Sequence, residues 1–474
     1  MKVLQAVAVV LLAGLSTLNA QTWTPLKNQP NFSASNAYIL QDGRVLVQDG
    51  GAQDWWALSP DINGSYLNGT WAQLASLPAD YSPLYYASAL LPDGRLAILG
   101  GEYNFGNGVW TNLGAIYSPT TNTWKNLNHP SGWANVGDAQ SVILSDGTMM
   151  VADCCTSQEA LLNAKNLTWT ATGSGKADIN DEEGWTLLPS GEVLTVDAND
   201  DNTNSEIYNP KTGAWTSAGS TIVQLEDPSS HELGPAVLRP DGTVLATGAT
   251  GHNAVYNSAT GIWTKAPDFP KVKAGQLDIA DGPAALLPSG NVLCMTSPGV
   301  YQTGAYFFEW NGTSFTSVPA TPNSKNDSSF YGRMLVLPTG EILLTDGSSD
   351  VELYTSSGSA DPSWAPAITK VGTKLTHGKS YPLQGTQLNG LSQASAYGDD
   401  FQNASNYPLV RITNSATGHV FYARTYEPSS MGVATGSLVV SVKFEVPASI
   451  ELGTSQLEVV TNGIASAPVT VTIK

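Results

Sequence analysis

One pattern recurs along the chain and limits what it can become. Seven segments each read as apolar strand, tight turn, apolar strand: "NAYILQDGRVLVQDGG", "ASALLPDGRLAILGG", "QSVILSDGTMMVADCC", "GWTLLPSGEVLTVDAN", "GPAVLRPDGTVLATGA", "GPAALLPSGNVLCMTS" and "GRMLVLPTGEILLTDG". Their turn glycines are Gly43, Gly94, Gly147, Gly191, Gly242, Gly290 and Gly340. Asp-Gly or a close analogue between apolar runs is a hairpin signal, because the turn needs positive φ. A third strand and then a Trp strand follow each hairpin, as in "AIYSPTTNTW", "EIYNPKTGAW" and "AVYNSATGIW". The recurrent aromatic stands at Trp71, Trp124, Trp169, Trp215 and Trp263, with Phe315 in the sixth unit. Four strands per unit at this period predict an all-β, seven-bladed propeller. The early "TWTPLKNQP" resembles "TWAQLASLP" and is expected to supply the outer strand of the seventh blade. Packing within blades accounts for the repeated Trp and Tyr residues.

After Asp361 the period stops. Short alternating strands such as "GSLVVSVKFEVP" and "SQLEVVTNGIASAPVTVTIK" predict an immunoglobulin-like β-sandwich. The start, "MKVLQAVAVVLLAGLSTLNA", has the basic flank, short apolar run and small-residue end of a secretory signal. The expected organisation is therefore a signal peptide at 1–20, the propeller at 21–362 and the sandwich at 363–474. Secretion, extracellular or periplasmic, follows from that reading, and no later stretch is apolar enough for a membrane span. A net charge of −19 argues against nucleic acid as a partner. A monomer is expected.

The kelch signature is clearest in "LPDGRLAILGG", and "YGDDFQNASNYPLVRITN" with "NGIASAPVTVTI" completes the layout. In this the chain resembles the galactose oxidase and glyoxal oxidase family over nearly its whole mature length. The resemblance implies the propeller-plus-sandwich fold and a sandwich loop reaching into the propeller, here about Tyr397 to Asn406 with Asp399 and Asp400. In copper-radical oxidases of the family it also implies two Tyr, two His and a Cys–Tyr cross-link. This chain has no Tyr-His dipeptide, and of His129, His231, His252, His377 and His419 only His231 adjoins an inner-strand start. Cys294 sits inside a strand pattern as a small apolar residue. Copper and copper-radical oxidation are therefore disfavoured.

Nine residues before the turn glycines stand Tyr85, Asp138, Glu182, Asp281 and Tyr331, with Glu183, His231, Glu232 and Arg333 as neighbours. Six residues after them stand Asp49, Asp153, Asp197 and Asp346. Both sets are expected at one mouth of the central channel. Such carboxylates admit three readings: ordinary solvation, a hard cation such as Ca²⁺, or acid–base catalysis on glycosides. Asp138, Glu182 and Asp281 are candidates for either chemistry, and Asp153 and Asp197 for metal only. Trp55, Trp56, Trp110 and Trp133 fall outside the repeat Trp position, in segments expected to be loops. With Tyr85, Glu183, His231, Glu232, Tyr331 and Arg333 they form the candidate ligand-binding set, since indole faces stack on sugars. The alternative is that those loops pack on their own aromatics.

The adjacent Cys154 and Cys155 follow Asp153 where the kelch pattern wants glycine. Export favours a vicinal disulfide there, at the mouth, over two free thiols. Function then divides three ways: carbohydrate binding at the mouth, a carbohydrate-active enzyme (hydrolase or lyase, less readily an oxidase), or a structural, protein-binding propeller.

Overall fold

The computed structural model describes residues 21–199 and 203–474; the expected signal segment 1–20 lies outside them. The protein is all-β. Helical turns among the described residues are three short 3-10 segments, Ser324–Asn326, Ser329–Tyr331 and Pro362–Trp364, and no helix is long and apolar enough to cross a membrane.

Each hairpin of the repeat starts one antiparallel sheet. The first runs Ala34–Ile39, Val45–Asp49, Trp55–Ser59, Thr70–Gln73, and the same meander recurs to give seven sheets. The last sheet takes its fourth strand from the chain start, where Thr22–Pro25 pairs antiparallel with Glu352–Thr355. That sheet meets the first through Ala34, whose N–H donates to Ser348 O at 2.7 Å, and through Thr345 Oγ1, which donates to Ser35 O.

The recurrent aromatics explain why the repeat period holds. Trp124, Trp215 and Trp263 stand opposite Tyr117, Tyr208 and Tyr256 on the third strand, with ring centroids 5.1, 5.4 and 5.0 Å apart. Their indole N–H groups reach back to the preceding sheet or the link after it. Trp124 donates to Ala75 O at 3.0 Å, Trp215 to the Glu159 carboxylate at 2.7 Å and Trp263 to Ser205 Oγ at 2.9 Å. Trp23 of the closing strand does the same to Pro319 O at 2.8 Å. Each Trp thus packs its own sheet and ties it to its neighbour, which satisfies a buried donor at the same time.

The structure moves two tryptophans out of the expected loop. Trp55 and Trp56 belong to the third strand of the first sheet. Trp55 is fully buried between Tyr38 and Trp124, and Trp56 stacks on Phe32 at 4.8 Å. The Trp-Trp pair is apolar enough to be strand, and the two faces of the strand bury one ring each.

Residues beyond 366 form a nine-stranded sheet around a separate core of Leu383, Val410, Ile412, Val440, Phe444 and Leu457. One strand, Val420–Tyr426, pairs first with Leu409–Asn414 and then with Val439–Glu445. That switch lets a continuous sheet curl over its core. This region caps the hairpin-turn face of the repeat. A Cβ on Gly43 (φ +80°) would lie 2.4 Å from the Tyr422 ring, so the first turn has no room for a side chain.

From this cap a segment runs up the centre and returns. Ser395–Ala396 pairs with the first strand of the sixth sheet, and Gln393 Oε1 accepts from Leu187 N–H at 2.7 Å. At its apex Gly398 lies against Asp281, Gly184 and Leu233. On the way back Gln402 bonds Ser88, and Asn403 Nδ2 donates to Met334 O at 2.6 Å. This segment plugs the space among the first strands of the sheets, and its turn sets Asp399 and Asp400 beside Asp138.

Candidate functional site

Beside that turn lies a cavity of about 340 Å³ lined by Glu102, Asp138, Glu182, Glu232 and Asp281, with Tyr85, Tyr103, Tyr301 and Phe330 as aromatic walls. The acids come from different units. Asp138, Glu182 and Asp281 precede the first strands of the third, fourth and sixth sheets, and Glu232 immediately precedes Leu233–Leu238 of the fifth. Glu182 (φ +59°), Asp281 (φ +48°) and Tyr85 (φ +51°) all adopt the left-handed conformation. Non-glycine residues rarely pay that strain unless the surroundings fix it, and here it aims three side chains at one space.

The oxygens crowd together. Glu182, Glu232 and Asp281 each offer a carboxylate oxygen within 4.8 Å of the others, and Asp138, Asp399 and Asp400 form a second such trio. Burial first, then mutual repulsion, pushes Asp138, Glu182, Asp281 and Asp399 well above the ordinary carboxylate range. Glu102, Glu232 and Asp400 are raised too, with burial the leading cause. Few donors answer them. Tyr301 Oη donates to Glu232 Oε1, and Tyr86 N–H donates to Asp400 Oδ2 at 2.8 Å. Asp138 Oδ1, Glu232 Oε2, Asp281 Oδ1, Asp399 Oδ2 and Asp400 Oδ1 are buried without a hydrogen-bond partner.

Arg333 is not a free counter-charge at the cavity. Its Nε donates to Asn36 Oδ1 at 3.0 Å and its Nη1 to Phe330 O and Gly332 O. The guanidinium stacks 3.8 Å from the Tyr397 ring centroid. It holds the plug in place and lines a second cavity, about 360 Å³, together with Tyr331, Asn326, Asp327 and Asp346. Tyr85 and Phe330 border both cavities.

Other expected site residues go elsewhere. Glu183 is fully buried and pairs with Lys176 Nζ at 2.8 Å, not with the cavity. Asp197 groups with Asp178 and Glu206 rather than with Asp138. His231 turns its Nδ1 to Glu226 Oε1 at 3.0 Å and to Ala198 O. Trp133 is buried, with its carbonyl accepting from Asn112, and borders a separate surface pocket beside Gln158 and Lys176. Trp110 is 51% exposed and touches the Gly137 backbone next to Asp138 without lining the cavity. The sulfurs of Cys154 and Cys155 lie at bonding distance, and Cys154 packs on Gly137. Asp153 accepts from Cys155 N–H at 3.3 Å, so it caps the cysteine turn. Glu102, Tyr301 and Phe330 come from links between strands, and Tyr103 from the short extra strand Tyr103–Asn104, where the repeat carries no positional signal.

The donor set is oxygen throughout. Among the described residues no imidazole or thiol lines the cavity, and Cys294 is buried inside Val292–Thr296. These residues do not fit copper, which favours imidazole and sulfur.

No protein-family model matches the chain, and no curated protein matches it in sequence. Solved structures match in fold. One is a fungal alcohol oxidase with catalytic diversity among the AA5 family, in complex with copper: 14% identity, 96% of this chain and 100% of that one, TM-score 0.52. Another is virginiamycin B lyase from Staphylococcus aureus, at 9% identity, 71% and 99% coverage and TM-score 0.50. At these identities the likeness concerns fold alone, and it places the repeat among β-propeller-like structures.

Proposed function

We propose that the chain is an exported, seven-bladed kelch-type propeller with an immunoglobulin-like C-terminal domain, and that its acid-lined cavity binds carbohydrate. The carrying observation is the meeting of carboxylates with Tyr85, Tyr103, Tyr301 and Phe330 around one space of about 340 Å³. Sugar rings stack on aromatic faces while their hydroxyls donate to carboxylates, so this lining answers both sides of a polyol. The volume suits one or two sugar units. A glycan array probed with the wild type and with Tyr85→Ala tests the reading. Selective binding by the wild type that falls at least tenfold in the variant is expected. An array with no selective signal sinks it.

A second reading has its own support. Buried acids held close together can divide into a protonated acid and an ionised base, as glycoside cleavage requires. Glu182, Glu232 and Asp281 are close enough for that and all three line the cavity. Chromatography of the array hits after incubation separates the two: intact glycan means binding, and cleaved or unsaturated product means hydrolysis or lysis.

A further inference from the structure

We infer that Glu182, Glu232 and Asp281 form a site for a hard divalent cation of the Ca²⁺ class. Three features carry this. The trio offers oxygens within 4.8 Å of one another, the spacing at which several ligands can face one ion. Asp281 and Glu232 are only 9% and 3% exposed, yet Asp281 Oδ1 and Glu232 Oε2 have no hydrogen-bond partner among the described residues. Both residues line the cavity, beside Glu182. A buried carboxylate oxygen left without a partner costs free energy that a cation returns.

The fixed cations are committed elsewhere. Arg333 is bound to Asn36, Phe330 O and Gly332 O, and Lys176 is enclosed by Asp178, Glu183 and Glu206. The all-oxygen donor set selects Ca²⁺ over softer metals. Three carboxylates fill roughly half of the six to eight positions Ca²⁺ takes. The cavity leaves the others to water or to neighbouring hydroxyls of a sugar. This last step rests on the carbohydrate reading above and makes the cation its anchor: the ligand class becomes a vicinal diol.

The test uses the full secreted chain, stripped of metal with EDTA and dialysed. Isothermal titration with CaCl₂, and Tb³⁺ luminescence sensitised by the nearby tyrosines, report the ion without any sugar. One site per chain is expected, with Ca²⁺ displacing Tb³⁺. Glu182→Gln and Asp281→Asn should each weaken it at least tenfold. Asn accepts the left-handed backbone of position 281. Both metal-free variants should melt no lower than the metal-free wild type, because each loses a repelling charge. If one melts lower, Glu232→Gln replaces it. A wild type that binds no Ca²⁺, or variants that bind it as well, overturns the inference. So does displacement of Tb³⁺ by an organic ammonium but not by Ca²⁺. Repeating the glycan array with and without EDTA separates the two readings. Glycan binding that survives EDTA, with no Ca²⁺ bound, removes the cation and leaves the carbohydrate. Ca²⁺ bound with no glycan recognised removes the carbohydrate and leaves the cation.

Discussion

Glu182 and Glu183 are neighbours in the chain and live in opposite electrostatic settings. Glu183 belongs to a closed network in which Lys176 Nζ contacts Glu183 and Glu206 at 2.8 Å each and also Asp178. Thr195 Oγ1 donates to the remaining Glu183 oxygen at 3.0 Å. Glu182 looks onto an open cavity of acids and aromatic rings, where the charges acting on it are all carboxylates. The first cluster has spent its charge on its own lysine and ties the link before the fourth sheet to Glu206 of that sheet. The second has kept its charge unspent, which is unfavourable for the fold and useful for recognition. A positive φ at Glu182 turns the chain so that consecutive side chains serve both.

The largest expected effect breaks the closed cluster. Lys176→Met leaves buried acids without a cation and should cost about 3–5 kcal/mol in chemical denaturation. A loss under about 1 kcal/mol would show that the network is ornamental.

Next comes Glu159, on the flank of that network. It is 2% exposed, and burial raises its pKa to about 8, although Trp215 donates to both of its oxygens. The folded state therefore holds a proton that the unfolded state releases near its ordinary value. Its contribution is fully present at acid pH and is lost as pH rises toward about 8. Glu159→Gln should remove that slope, gaining about 2–4 kcal/mol on the wild type between pH 4.5 and 8.5. Parallel stability profiles for the two proteins contradict it.

A matched pair sharpens the contrast. Burial raises the Glu183 carboxyl against the pull of Lys176, yet Glu183→Gln should destabilise by about 2 kcal/mol, because an amide NH₂ replaces an oxygen that accepts from Lys176 or Thr195. Asp399→Asn beside Asp138 should be neutral or stabilising by up to about 1 kcal/mol, because burial and repulsion already disfavour its charge. Equal signs in thermal melts would erase the distinction between the clusters. A comparably small effect is expected for Trp263→Phe, which loses the inter-sheet bond to Ser205 Oγ and should cost about 1 kcal/mol. The sixth sheet already carries Phe315 at this place.

These residues also mark what a sequence reader can and cannot see. The hairpin glycines and the Trp strands were legible because one backbone requirement repeats every unit. The same count located Asp138, Glu182 and Asp281, which the structure brings to one cavity. Counting failed where a single dihedral decides direction: Glu183 lies one residue from Glu182 and points the other way. It failed for Trp55, where an apolar strand residue looks like an exposed aromatic until its neighbours Tyr38 and Trp124 are known. Glu102, Tyr301 and Phe330 were silent because links between strands obey no period. Asp399 and Asp400 came into view only through the family resemblance, since a plug from the chain's end leaves no local pattern in the repeat.

The pairing of Thr22–Pro25 with Glu352–Thr355 has a consequence for synthesis. Thr22–Pro25 must wait until the last unit of the repeat is made before it finds its partner. Until then the nascent chain presents unpaired strand edges at both ends, the state most exposed to pairing with another molecule. Contacts so distant in sequence make closure slow. A nascent chain arrested shortly before residue 352 should accordingly be protease-sensitive at its start, however complete its middle sheets already are.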